Sequence, residues 1–329
     1  MINTFNSGFA VIIGVGGDLP VTKKDAQAVY DFLTDPGFCA YPKANVRLLT
    51  EQLADRQHVI EALDELAVRV QGHPEATAIV YFSGHGIEKP KPNLLTYGHS
   101  FDDLDGTMLA SELFTEKLRA IHSKKLLVVL DCCHAGAQGE AKSPIQQSPI
   151  PLSESSIQAL SQGSGRIILA SSRRDEKSWT GNPYSIFTTA LLEGLLGQGA
   201  SEQDGFARVL DIAMWVNRMV SVRSGDRQHP MIKVAKLEEN FVVSYYAGGS
   251  QKPKSMPWSS PSAPSQENLD EREIENLRRR LNNRKTALLY ILERMSQFIE
   301  YQTIPLQLIH NERLTVKEIE ELERKIGPQ

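Results

Sequence analysis

The stretch KLLVVLDCCHAG, residues 125–136, decides how the rest of the chain is read. Leu126 to Leu130 is an unbroken apolar run, the pattern of a strand covered on both faces. It ends abruptly at Asp131-Cys132-Cys133-His134, where a carboxylate, two thiols and an imidazole follow one another before Gly136. In an open parallel sheet, functional groups gather beyond the carboxyl ends of the strands. The run therefore reads as a core strand that delivers chemistry at its tip.

A second stretch has the same form. Ala76 to Phe82 is apolar and runs directly into Ser83-Gly84-His85-Gly86. His85 and Cys133 stand 48 positions apart in the sequence, room for one crossover, so the two strand tips can be neighbours. A thiolate is a strong nucleophile, and an imidazole beside it raises the thiolate fraction and later returns the proton. The glycines around His85 and after Cys133 let backbone N–H groups approach a reacting carbonyl. Gly86 N–H and Cys133 N–H are the expected oxyanion donors.

Outward from these two strands, the first 250 residues alternate strands and helices. Strands are expected at Phe9–Val15, Asn45–Leu49 and Arg166–Ala170. Helices are expected at Lys24–Leu33, around Ile60, Leu63, Leu66 and Val70, at Leu113–Ile121 and at Ile186–Leu196. This order predicts an α/β fold, a mainly parallel sheet with helices on both faces. Residues 137–165 are rich in Gln, Ser, Gly and Pro, and a connection that long inside a domain is functional or disordered. Residues 250–268 read as a linker. The expected organisation is a domain over 1–249, the linker, and a helical unit over 269–329. In that unit Ile274, Leu277, Leu281, Leu288, Leu292, Met295 and Ile299 share one face, and Pro305 interrupts the pattern. Thr315 with Glu318 reads as a capping box opening a last helix.

The 329 residues are 41% hydrophobic and 23% charged, with a net charge of −4, so charge gives no reason to expect nucleic-acid or anionic-membrane binding. No apolar run approaches the roughly 20 residues needed to span a bilayer, and the start reads as no signal sequence. Three cysteines, Cys39, Cys132 and Cys133, do not form a secreted disulfide framework and point to a reducing cytoplasm. Cys39 reads as a core residue. The Cys-Cys-His run lacks the ligand spacing of a zinc site. Gly14-Val15-Gly16-Gly17 lacks the third glycine of a dinucleotide fingerprint, so these glycines read as a turn.

The paired motifs resemble those of caspase-like cysteine peptidases, above all the metacaspases and their bacterial relatives. That family ends one strand in S-G-H-G and, some 50 residues on, another in D-x-C-H-S/A-G. The likeness extends over about residues 8–248 through Asp25-Ala26, Asp103-Leu-Asp-Gly-Thr107, Ala170-Ser-Ser172, Ser178-Trp179 and Phe187-Thr188. It implies a caspase-like three-layer sandwich, with Cys133 and His85 as the catalytic dyad and Cys132 packed beneath the strand tip. It implies that Asp131 lines the S1 pocket with help from Asp25, giving cleavage of proteins or peptides after Arg or Lys. Asp131 also reads as the cap of a following helix. Lys23-Lys24 stand where metacaspases have Cys and Asn. Ser171 and Ser172 would pair with the substrate backbone as an added strand. The loop at 137–165 would be the processing loop, with Lys142 or Arg166 as self-cleavage sites.

No cofactor is required for such chemistry. Calcium is an expected activator in some members, with Asp102, Asp103 and Asp105 as the candidate ligands. The tail resembles the helical appendages of bacterial caspase-like proteins, which imply a sensor or self-association partner and a role in regulated cell death or antiviral defence. The other readings are a non-catalytic caspase-like scaffold acting through these helices, and an acyl-transfer enzyme such as a ligase.

Overall fold

The computed structural model describes residues 4–73, 75–87, 92–132, 153, 156, 165–172, 183–237, 239–250, 252, 271–295 and 305–326. Cys133, Lys142 and most of the 137–165 loop lie outside the described residues, as do Ser178 and Trp179.

Six strands form the central sheet: β1 (Gly8–Gly14), β2 (Val46–Thr50), β3 (Thr77–Gly84), β7 (Lys125–Cys132), β8 (Arg166–Ala170) and β10 (Met231–Ala235), in the order β10-β8-β7-β3-β1-β2. All neighbours are parallel except the antiparallel edge pair β8 and β10. Every residue of β1, β3 and β8 is buried, as the unbroken apolar runs require of strands covered on two faces.

Side chains alternate across the sheet. On one face Ile79, Tyr81, Leu127 and Val129 meet α1 (Pro20–Thr34), α5 (Ile186–Leu195) and α6 (Val209–Arg223). On the other, Val80, Phe82, Val128 and Leu130 meet α2 (Arg56–Gln71) and α4 (Ser111–Ala120). The architecture is the expected three-layer α/β sandwich. A small antiparallel sheet, β4 (Gly86–Ile87), β5 (Asn93–Leu94) and β6 (Leu109–Ala110), continues from the tip of β3. A short helix, α3 (Leu104–Thr107), precedes β6, and β9 (Phe206–Arg208) pairs with β11 (Val242–Tyr245).

The tail contributes α7 (Glu271–Met295) and α8 (Leu306–Ile326). Leu277, Leu281 and Leu288 pack on Ile319 and Leu322, and the same cluster takes in Met214 of α6. Lys285 is buried with them: its ammonium donates to Asp211 Oδ1 at 2.9 Å and Gly199 O at 2.8 Å, and lies 3.1 Å from Glu323 Oε1. The helical unit is thus seated on the sandwich. One expectation is corrected: Thr315 opens no helix. It lies mid-way along α8 and its hydroxyl donates to Asn311 O, because Pro305, with its fixed φ and missing N–H, already starts that helix. No described helix is long and apolar enough to cross a membrane.

Candidate active site

The β3–β7 register sets the frame. Thr77 faces Lys125, and the pairing runs without a break to Ser83 opposite Asp131 and Gly84 opposite Cys132. A Cβ on Gly84 would stand 2.8 Å from both the Phe82 ring and Val15 Cγ2, so only glycine lets the strand close there. His85 follows, held between the end of β3 and the start of β4, with its carbonyl accepting from Leu95 N at 2.9 Å. Its side chain is only 7% exposed. Nε2 lies 3.2 Å from Asp18 Oδ2, while Nδ1 is buried with no partner among the described residues.

Asp18 is not among the residues the sequence singled out. It follows the turn Gly16-Gly17, both at positive φ, where glycine is favoured. Gly16 N donates to Thr22 Oγ1, whose hydroxyl donates to Leu19 O, and Val15 N donates to Ser83 O. The turn therefore ties the tip of β1 to the tip of β3. The bond to His85, more than any other influence, draws the Asp18 carboxyl below the usual aspartate range.

Beneath lies an acidic pair. Asp25 of α1 and Asp131 of β7 are both wholly buried. Ser185, capping α5, joins them: its N–H donates to Asp25 Oδ1 at 3.0 Å and its hydroxyl to Asp131 Oδ2 at 2.6 Å. Thr188 Oγ1 also donates to Asp131 Oδ2, at 3.0 Å, and the Tyr81 hydroxyl lies 2.7 Å from Thr188 Oγ1. Burial, reinforced by the charge of Asp131, pushes the Asp25 carboxyl up to about 8. The first-helix acid and the strand-tip acid, more than 100 residues apart in sequence, thus meet in one polar cluster.

Cys132 points away from this cluster into the opposite core layer, and burial pushes its thiol well above the usual range. It is the packed neighbour the sequence predicts. Cys39 is equally buried, its thiol pushed up to about 12. Ser171 and Ser172 directly follow β8 and are fully buried. Ser171 N donates to Leu130 O, and its carbonyl accepts from Gln228 Nε2 at 2.8 Å. Gly86 is buried at the start of β4.

Asp102, Asp103 and Asp105 are exposed; the first two precede α3 and Asp105 lies within it, and Asp103 Oδ1 caps that helix by accepting from Gly106 N. Among the described residues no group of three His, Cys, Asp or Glu side chains is arranged to hold a metal. Arg166 is corrected as a self-cleavage site. It opens β8, paired to the strands on both sides, and its guanidinium donates to the carbonyls of Leu118, Arg119 and Ile121 at the end of α4. A peptide bond so placed cannot enter a protease cleft.

The caspase-domain model matches residues 7–242, which takes in all six strands of the central sheet and stops before the tail. The chain belongs to the caspase-domain family of cysteine peptidases. A comparison with curated proteins finds no match.

Proposed function

We propose that the chain is an endopeptidase in which Cys133 attacks the substrate, His85 is its base, and cleavage follows Arg or Lys. The observation that carries this is the β3–β7 register. It ends with Gly84 opposite Cys132, so His85 and Cys133 are the residues that follow the two paired tips in the sequence, and the His85 Nδ1 is buried and without a partner among the described residues. His85 takes the Cys133 proton, and the thiolate adds to the peptide carbonyl. The oxyanion is held by Gly86 N–H and Cys133 N–H. His85 then protonates the departing amine, and water, deprotonated by the same ring, releases the acyl group.

The Asp25–Asp131 cluster supports a basic P1 residue. A buried pair of acids at the strand tip suits a guanidinium or ammonium, which would form charge-assisted hydrogen bonds there. Ser171 and Ser172, just past β8, are proposed to take the substrate as an added strand, although the Ser171 N–H and carbonyl are already engaged. Calcium activation, a partner for the tail, a cytoplasmic setting and a role in regulated cell death or antiviral defence rest on the resemblance alone.

The test uses the purified protein and Cys133→Ala with fluorogenic peptides ending in Arg, Lys, Asp or Leu, with and without calcium. Cleavage after Arg or Lys that vanishes in the variant is the expected result. Cleavage only after Asp or Leu would overturn the S1 assignment and keep the dyad.

A further inference from the structure

Three adjacent strands of the sheet, β7, β3 and β1, end side by side. The middle one delivers His85. One neighbour leads to Cys133. The other delivers Asp18, whose Oδ2 lies 3.2 Å from His85 Nε2. We propose that Asp18 is the positioning residue of a Cys133–His85–Asp18 triad; this rests on the dyad proposed above.

The geometry divides the two ring nitrogens between two tasks. A carboxylate oxygen only accepts, so Nε2 carries a proton and donates it to Asp18. The neutral ring is thereby held as the Nε2–H tautomer, which leaves the Nδ1 lone pair as the base. Nδ1 is the buried atom with no partner among the described residues. When Cys133 gives up its proton, it goes to Nδ1 and the ring becomes a cation. Nε2–H stays donated to Asp18, which takes no proton and steadies the positive charge. As the C–N bond of the acyl adduct breaks, the Nδ1 proton passes to the leaving nitrogen, and the ring returns to its starting tautomer.

Asp18 is well built for this. Its backbone is fixed by the Gly16-Gly17 turn and by Thr22, while its side chain is 70% exposed and remains ionised. The lowered carboxyl of Asp18 agrees with a bond to a donating ring. Lys23, the nearest basic residue along α1 with a recorded ion pair, is engaged with Glu51 and does not compete for it.

The experiment compares Asp18→Ala, Asp18→Asn and Asp18→Glu in the full chain. On an Arg peptide, Asp18→Ala is expected to lower kcat about 10–100-fold, part of the roughly 10²–10⁴-fold that a positioned general base supplies. KM stays within about twofold, because the residue does not touch substrate. Asp18→Glu restores most of the rate. The second readout needs no turnover: nitrogen-15 spectra of the His85 ring in a Cys133→Ala background. The Nε2–H form should dominate with Asp18 present and give way to a mixture in Asp18→Ala.

An unchanged tautomer and kcat in Asp18→Ala overturn the proposal. If the intact chain cleaves nothing and Cys133 alkylation is the same in His85→Ala, the peptidase reading falls. The ring spectra then decide whether Asp18 directs His85.

Discussion

Asp25 keeps a proton at a pH where an ordinary aspartate has lost it, because it is buried and faces Asp131. Its folded value, about 8, lies above the 3.8 of the exposed group. Between those values the folded chain holds a proton that the unfolded chain has released. The stability this contributes is complete below 3.8 and is lost as pH rises toward 8. Denaturant unfolding of the wild type should therefore weaken over that range, by at most about 1.4 kcal/mol per pH unit from this group. Asp25→Asn should flatten that slope. The thiols give a second outcome at this scale. Cys39 and Cys132 are buried and held as thiols, so iodoacetamide at neutral pH should leave both unmodified in the folded protein, as peptide mass mapping would show.

At the scale of elements, two side chains each join a helix to the sheet. Ser185 caps α5, accepting from Thr188 N at 2.9 Å while donating to Asp131. Ser185→Ala should destabilise the protein by about 1–2 kcal/mol, through the lost cap and the lost donor to a buried carboxylate. Arg166 binds the carbonyls that end α4 from within β8. Arg166→Met keeps the apolar stem and strips those acceptors, and should cost roughly 2–3 kcal/mol in urea unfolding. Neither residue lies in a sequence pattern that announces the contact, since each partner is on a different element.

Over the whole molecule, the tail and the sandwich share one buried charge. Lys285 is 1% exposed, and although burial alone would favour its neutral form, Asp211 and then Glu323 hold the ammonium above its usual range. Arg218 of α6 adds a second link to Glu323 at 2.9 Å. Lys285→Ala would leave Asp211 buried without its cation, a loss of about 3–5 kcal/mol, whereas the Lys285→Met, Asp211→Leu pair should recover much of it. Limited proteolysis should show residues 250–268 cut faster in Lys285→Ala, as α7 and α8 leave their seat.

The sequence by itself determined the layers and the reactive types. Unbroken apolar strands and amphipathic helices admit a covered parallel sheet and little else, and the two strands that lead in sequence to His85 and Cys133 are neighbours in that sheet. Burial of Cys132 was implied by the resemblance of its motif, and the structure bears it out. What only the tertiary structure decided concerns partners brought together by strand order and helix docking. Asp18 meets His85 because β1 lies next to β3, whereas the sequence drew attention only to the glycines before it. Arg166 is a tether and Thr315 a mid-helix residue, where local patterns suggested a cleavage site and a cap. Lys285 is buried on the sandwich, though a lysine on a charged helix reads as solvated. Periodicity reports which face of an element is apolar; it carries no information on which distant element that face will meet, and hydrogen bonds and charges are settled by that meeting.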